Sequence, residues 1–253
     1  MYEQGFAWWS FAGPDEHGPS LLAEAAAIGY RGVDFLPPSL WPVARDCGLE
    51  PVLADGHESL EVGFNDRANH AALADEVRRS LELAHREGVY SLAVNAGNRG
   101  TASDTDAIAI CAEGLAPLAE EAAAAGVVLL LEPLNSKIDH PGNQCDSTAW
   151  AASVVDVVGS PGLRLLYDGY HMQIMEGDLS RTIAEYHDRI AHVHTAGVPG
   201  RHELDDRQEV NWGAIAQLLR DLGFDGHVAH EFVPRGDAVA ALRDAFAVFS
   251  ASA

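Results

Sequence analysis

Four short apolar segments in the second half of the chain end in side chains that can bind a cation or move a proton. Val127-Val128-Leu129-Leu130-Leu131 runs into Glu132, and Leu163-Arg164-Leu165-Leu166-Tyr167 into Asp168. Ala191-His192-Val193 runs into His194, and Val228-Ala229-His230 into Glu231. One such acid alone reads as a rim salt bridge, because burying a carboxylate is costly unless something positive meets it. The same placement in four consecutive units reads as a shared site. Three carboxylates and one imidazole form a hard, mostly oxygen donor set, suited to one divalent ion. Mn²⁺ or Mg²⁺ fits best, and Co²⁺ or Zn²⁺ is also compatible. A metal holding the carbonyl oxygen and neighbouring hydroxyl of an α-hydroxy carbonyl compound acidifies the C–H between them and stabilises the enediolate that results. One carboxylate then removes the proton and another acid returns it to the adjacent carbon. Glu132 and Glu231 are assigned as that pair.

The elements that must bring these groups together alternate regularly. Strands are predicted at 6–11, 32–36, 51–55, 91–95, 127–132, 163–168, 191–195 and 227–231. Helices are predicted at 20–28, 40–46, 69–86, 104–125, 147–158, 179–190, 212–222 and 237–249. Short apolar runs rich in branched residues read as strands buried on both faces. Pro133, which cannot donate to a neighbouring strand, stops the run before it. Gly126 closes the most Ala-rich helix, and Asn211 and Ser147 or Asp146 stand as helix caps. Strand and helix alternate eight times without a break in composition, across 253 residues. The fold class is therefore α/β, a (β/α)8 TIM barrel of one domain over residues 1–253. An open doubly wound sheet is the runner-up, but neither glycine-rich nucleotide fingerprint is present. In a barrel the carboxyl-terminal strand ends converge on one mouth, where such folds keep their chemistry.

Other side chains fall near that mouth. His171, three residues past Asp168, can hydrogen-bond a substrate oxygen. Arg201, after Pro199-Gly200, can grip a carboxylate with two parallel hydrogen bonds, or else pair with Glu203. His57 and Asn95, at the third and fourth strand ends, are polar lining groups, and Trp8 or Trp9 supplies an apolar wall. Lys137, the only lysine, lies past a proline turn. It reads as a rim group for an anion rather than a Schiff-base nucleophile. His192, on the same face as His194, reads as a plain core histidine in preference to a deeper group supporting the site, and His230 as packing outward toward a helix.

Composition limits the partners. Lys+Arg number 16 against 38 Asp+Glu, a formal net charge of −22, which repels nucleic acid and anionic membranes alike. Three cysteines without a C-x-x-C spacing point to a reducing, cytoplasmic setting. The first residues lack the layout of a signal peptide, and no apolar run approaches the ~20 residues of a membrane span.

Glu132-Pro133-Leu134-Asn135, Tyr167-Asp168-Gly169-Tyr170-His171-Met172-Gln173 and Gly197-Val198-Pro199-Gly200-Arg201-His202-Glu203 resemble the signatures of the xylose-isomerase-like TIM-barrel superfamily. Asn135-Ser136-Lys137, Asp139-His140-Pro141 and Phe6-Ala7-Trp8-Trp9 are similar to its hydroxypyruvate isomerase branch. The resemblance covers nearly the whole chain and is more specific for fold and metal site than for substrate. It implies the ligand set Glu132, Asp168, His194 and Glu231. It also implies a small carbonyl or sugar substrate and isomerisation of hydroxypyruvate to tartronate semialdehyde. Barrels of this family often form dimers or tetramers, so a homo-oligomer is compatible. Some hydroxypyruvate isomerases carry Gln where this chain has His194, as the ketose 3-epimerases do not. Those epimerases often have a second Glu six residues after the first, and this chain has Ile138 there. The alternatives are thus a ketose 3-epimerase, an endonuclease-IV-like phosphodiesterase, which the charge opposes, and a non-catalytic sugar-binding barrel.

Overall fold

A computed structural model describes residues 2–12 and 18–250. In chain order the elements are β1 (Glu3–Ala7), α1 (Trp8–Phe11), α2 (Gly18–Ile28), β2 (Gly32–Asp34), α3 (Trp41–Asp46), β3 (Glu50–Asp55), α4 (His70–Glu87) and β4 (Ser91–Val94). There follow α5 (Asp104–Ala125), β5 (Val128–Leu131), α6 (Thr148–Val158), β6 (Leu163–Asp168), α7 (Gly169–Met175), α8 (Leu179–Tyr186), β7 (Ile190–Thr195), α9 (Trp212–Asp221), β8 (His227–His230) and α10 (Ala238–Ser250). The strands close into a barrel in sequence order, β1 through β8. The closed α/β barrel expected from the alternation is therefore the fold. Among the described residues no helix is long and apolar enough to cross a membrane.

By internal contacts the chain falls into two compact parts. The first comprises Met1–Val52, Asp178–His187 and His192–Ala253. In it β1 pairs in parallel with β2, setting Ala7 opposite Asp34, and with β8, setting Phe6 opposite His230. β7 pairs with β8, with His194 opposite Ala229 and Thr195 opposite His230. Aromatic rings fill the space beneath the helices. Phe6 meets Phe11 and Tyr30 edge-on at 5.8 and 5.7 Å, and Phe11 meets Phe232 at 4.8 Å. Such pairs add about 0.5–1.5 kcal/mol each beyond their buried area. His230 packs outward as expected, its ring 5.4 Å from Phe249 of α10.

The second part comprises Leu53–Gly177 and Asp188–Ala191. β5 lies between β4 and β6, and Leu129, Leu130 and Leu131 are fully buried, as a central parallel strand requires. The local sequence sets the ends of the flanking helices. Ser103 accepts from the Asp106 amide at 3.2 Å to open α5, and Gly126, at φ 72°, closes it. Ser147, rather than Asp146, opens α6 by accepting from the Trp150 amide. A Cβ at Gly162 would stand 1.9 Å from the Ala119 carbonyl of α5, so only glycine lets helix and strand approach there.

Two expectations need correction. The first strand ends at Ala7, not Phe11. Trp8–Phe11 forms one helical turn, closed by the Ala12 amide on the Trp8 carbonyl at 2.9 Å and by Ser10 Oγ on the Ala7 carbonyl at 2.9 Å. Trp8 and Trp9 therefore stand on a helical turn and not on a strand. The predicted helix 179–190 stops at Tyr186, and a 3₁₀ turn over His187–Arg189 leads directly into β7.

Candidate active site

In the first part the site is built around His194. It and His192 lie two residues apart on β7 and point the same way, as strand periodicity dictates. His194 is fully buried. Its Nε2 lies 3.0 Å from Asp34 Oδ2, and its Nδ1 lies 3.1 Å from Glu231 Oε2. His192 Nε2 meets the same Asp34 oxygen at 2.7 Å. His192 is thus hydrogen-bonded to the acid behind His194 and is not a plain core histidine. Asp34 was not among the residues singled out from the sequence.

Glu231 follows the last residue of β8, and its carboxylate is held on both oxygens. Trp9 Nε1 donates to Oε1 at 2.8 Å, and Arg201 Nη2 donates to Oε2 at 2.5 Å. Burial works against the charge on Glu231, but His194 and Arg201 outweigh it and hold its pKa far below the usual carboxylate range. His194, buried between Glu231 and Asp34, has its pKa raised in spite of burial. Its proton occupies a position where a cation's charge serves equally well. The Arg201 guanidinium also stands 5.3 Å over the Trp9 ring. Glu203 instead takes the Arg235 amide and guanidinium at 2.6 and 3.2 Å. Trp9, not Trp8, supplies the indole at this site. Trp8 is half-buried.

In the second part Glu132 and Asp168 are both buried. Asp168 ends β6 and opens α7, accepting from the Tyr170 amide at 2.7 Å and the His171 amide at 3.4 Å. That short helix was missed in the sequence, although an Asp followed by glycine is a recognisable cap. It places His171 Nε2 3.5 Å from Asp168 Oδ2. Asn135 accepts from the amides of Ile138 and Asp139 through Oδ1. Its Nδ2 therefore donates to Asp139 at 2.7 Å and to His171 Nδ1 at 2.6 Å. This leaves the His171 hydrogen on Nε2, as a donor.

His57 and Asn95 are neighbours, His57 Nε2 accepting from the Asn95 amide at 3.0 Å. Burial lowers the His57 pKa, so the ring is neutral. Lys137 Nζ donates to the Ile174 and Met175 carbonyls at 2.8 and 3.1 Å, tying down the end of α7. It stands exposed at the rim, unlike a desolvated nucleophile.

Glu132, Asp168, His194 and Glu231 each offer a donor atom, and these atoms lie within 4.8 Å of one another. All four residues are buried. Three carboxylates in so small a volume repel one another without a positive charge among them, and together with the imidazole they fit a hard divalent cation.

The chain matches the family described as xylose isomerase-like TIM barrel over residues 22–251. It is 30% identical over 237 residues to the 2-oxo-tetronate isomerase of Cupriavidus necator, covering 87% of this chain and 89% of that protein. It is 28% identical over 235 residues to the hydroxypyruvate isomerase of Escherichia coli, with coverage of 87% and 89%. Among solved structures, one described as AP endonuclease, family 2, from Brucella melitensis superposes with a TM-score of 0.87 at 26% identity, covering 100% of both chains. The chain belongs to the xylose isomerase-like TIM-barrel family.

Proposed function

We propose that this protein is a divalent-metal-dependent aldose–ketose isomerase acting on a small α-hydroxy carbonyl compound, with hydroxypyruvate to tartronate semialdehyde as the reaction. The observation that carries this reading is the buried group of Glu132, Asp168, His194 and Glu231, with donor atoms within 4.8 Å of one another. The two relatives support the substrate class, since both names denote isomerases of small 2-oxo acids. Glu132, Asp168, His194 and Glu231 would hold the ion, with Mn²⁺ or Mg²⁺ the best match to the donors. Bound there, it would polarise the substrate carbonyl and stabilise negative charge on the enediolate.

The side chains do the proton work. Glu132 and Glu231 form the acid–base pair. One takes the proton from C3 of hydroxypyruvate, and the other delivers a proton to C2. The hydroxyl proton passes from O3 to O2, which leaves an aldehyde at C3 and a hydroxyl at C2. Trp9 and Arg201 hold the two oxygens of Glu231 and so fix the direction from which it meets the substrate. His171 presents an Nε2 hydrogen to a substrate oxygen. Arg201 is also the group suited to the substrate carboxylate, with His57, Asn95 and Lys137 as polar lining and Trp9 as the apolar wall.

Purified protein, stripped of metal and reloaded with Mn²⁺, is expected to convert hydroxypyruvate to tartronate semialdehyde, with activity lost on stripping and restored on reloading. Turnover that persists at full rate without any divalent ion contradicts the proposal. So does failure of the reloaded protein to act on any small α-hydroxy carbonyl compound.

A further inference from the structure

Asp34 is a buried acid for which the chemistry above has no use. It is 1% exposed at the end of β2. Burying an ionised carboxylate is costly unless donors meet it. The donors here are two imidazoles, His192 Nε2 at 2.7 Å and His194 Nε2 at 3.0 Å, both on Oδ2.

We propose that Asp34, steadied by His192, is a positioning residue that decides which nitrogen of His194 is left to bind the cation. The inference rests on the metal reading above. A carboxylate can only accept, so each imidazole must keep a hydrogen on Nε2. The metal-binding form of His194 then carries its lone pair on Nδ1. That is the nitrogen 3.1 Å from Glu231 Oε2, facing the acid cluster. His192 agrees with the same assignment: its Nε2 faces Asp34, and its Nδ1 is buried with no hydrogen-bond partner among the described residues. His192 is itself held by stacking on His227, with rings 5.8 Å apart and 19° from parallel. Asp34 lies on the opposite edge of the His194 ring from Glu231 and belongs to a separate group with His192 and His194. That group is itself compact enough to share a cation, but with both Nε2 hydrogens donated to Asp34 no imidazole lone pair faces it, and Asp34 orients a ligand without being one.

The test is Mn²⁺ binding by calorimetry on the metal-stripped full chain. Asp34→Asn keeps the shape but can offer an amide hydrogen to Nε2 of His194, which moves the ring hydrogen to Nδ1 and blocks the lone pair. The expected result is one Mn²⁺ per chain in the unsubstituted protein and affinity about 10- to 100-fold weaker in Asp34→Asn. His192→Leu, which frees Asp34, is expected to weaken affinity less, and His192→Gln, which can still donate, to restore most of it. Equal affinity in Asp34→Asn and the unsubstituted protein overturns the proposal. A second Mn²⁺ that vanishes in Asp34→Asn also overturns it, because Asp34 is then a ligand. No Mn²⁺ binding by the unsubstituted protein removes the metal reading itself. Should Asp34→Asn fail to fold, ¹⁵N spectra of the Mg²⁺-loaded unsubstituted protein decide. A His194 hydrogen on Nε2 supports the role, and one on Nδ1 overturns it.

Discussion

Arg201 Nη2 lies 2.5 Å from Glu231 Oε2, so the guanidinium expected to grip a substrate also holds the carboxylate proposed to move a proton. The two tasks are compatible, because a guanidinium has five donors arranged as a fork. A lysine there keeps the charge and loses the fork. Arg201→Lys is expected to lower kcat/KM for hydroxypyruvate by about 10- to 100-fold, the loss of one to two good charge-assisted hydrogen bonds. An uncharged hydroxyaldehyde should suffer less. Steady-state kinetics on both substrates checks this, and equal losses would remove the carboxylate contact while leaving the contact with Glu231.

Cys47 is partly exposed, whereas Cys111 and Cys145 are buried. Burial pushes the Cys111 thiol up to about 12 and raises that of Cys145 well above its ordinary value. At pH 8 the Cys111 thiolate fraction is then about 10⁻⁴, too small for ready reaction. A thiol reagent should label Cys47 alone in native protein, and all three cysteines once it is denatured. Prompt labelling of two or more in the native state would contradict the buried placement.

His227 has its pKa lowered to about 4, chiefly by burial and then by His192, with Asp34 acting weakly the other way. A histidine kept neutral in the fold opposes folding once the unfolded chain can take up the proton. The loss begins as pH falls below the unfolded value of about 6.5 and levels off below about 4. Between pH 7 and 5 this one group should remove about 2 kcal/mol. Denaturant melts of His227→Asn across that range should show a shallower slope than the unsubstituted protein. Parallel slopes would mean that His227 is protonated as freely in the fold as outside it.

The solved structure named an AP endonuclease shares this fold over its full length. The present chain carries a net charge of −22, which repels a phosphate backbone. Incubation with abasic duplex DNA and divalent metal at low salt, where electrostatic attraction is strongest, should leave the strand intact. Cleavage by metal-loaded protein, lost in Glu132→Gln, would make phosphodiester hydrolysis the better reading.

The barrel was legible because the units repeat a short apolar strand, a polar turn and a helix, three of those helices closed by glycine at Gly88, Gly126 and Gly159. Glu132, Asp168, His194 and Glu231 could be read as a set because they recur at the same place in neighbouring units. Asp34 could not, because Gly32-Val33-Asp34-Phe35-Leu36 reads as one strand with an acid in its middle. The strand in fact ends at Asp34, and its partners lie 158 and 160 residues away. His192 was misread for the same reason: strand periodicity gives the face on which a side chain lies but not what waits there. The aromatic run at Phe6-Ala7-Trp8-Trp9 has strand composition, yet tertiary placement makes Trp8 the start of a helical turn.

The central claim is that Glu132 and Glu231 move a carbon-bound proton beside a bound cation. Hydroxypyruvate incubated in D₂O with Mn²⁺-loaded protein reports this directly, through deuterium appearing on C3 of recovered substrate and on C2 of product. The account predicts deuterium incorporation that disappears when the metal is stripped and falls at least about 1,000-fold in Glu132→Gln and in Glu231→Gln. Unchanged incorporation by the stripped protein, or by both variants, would contradict it.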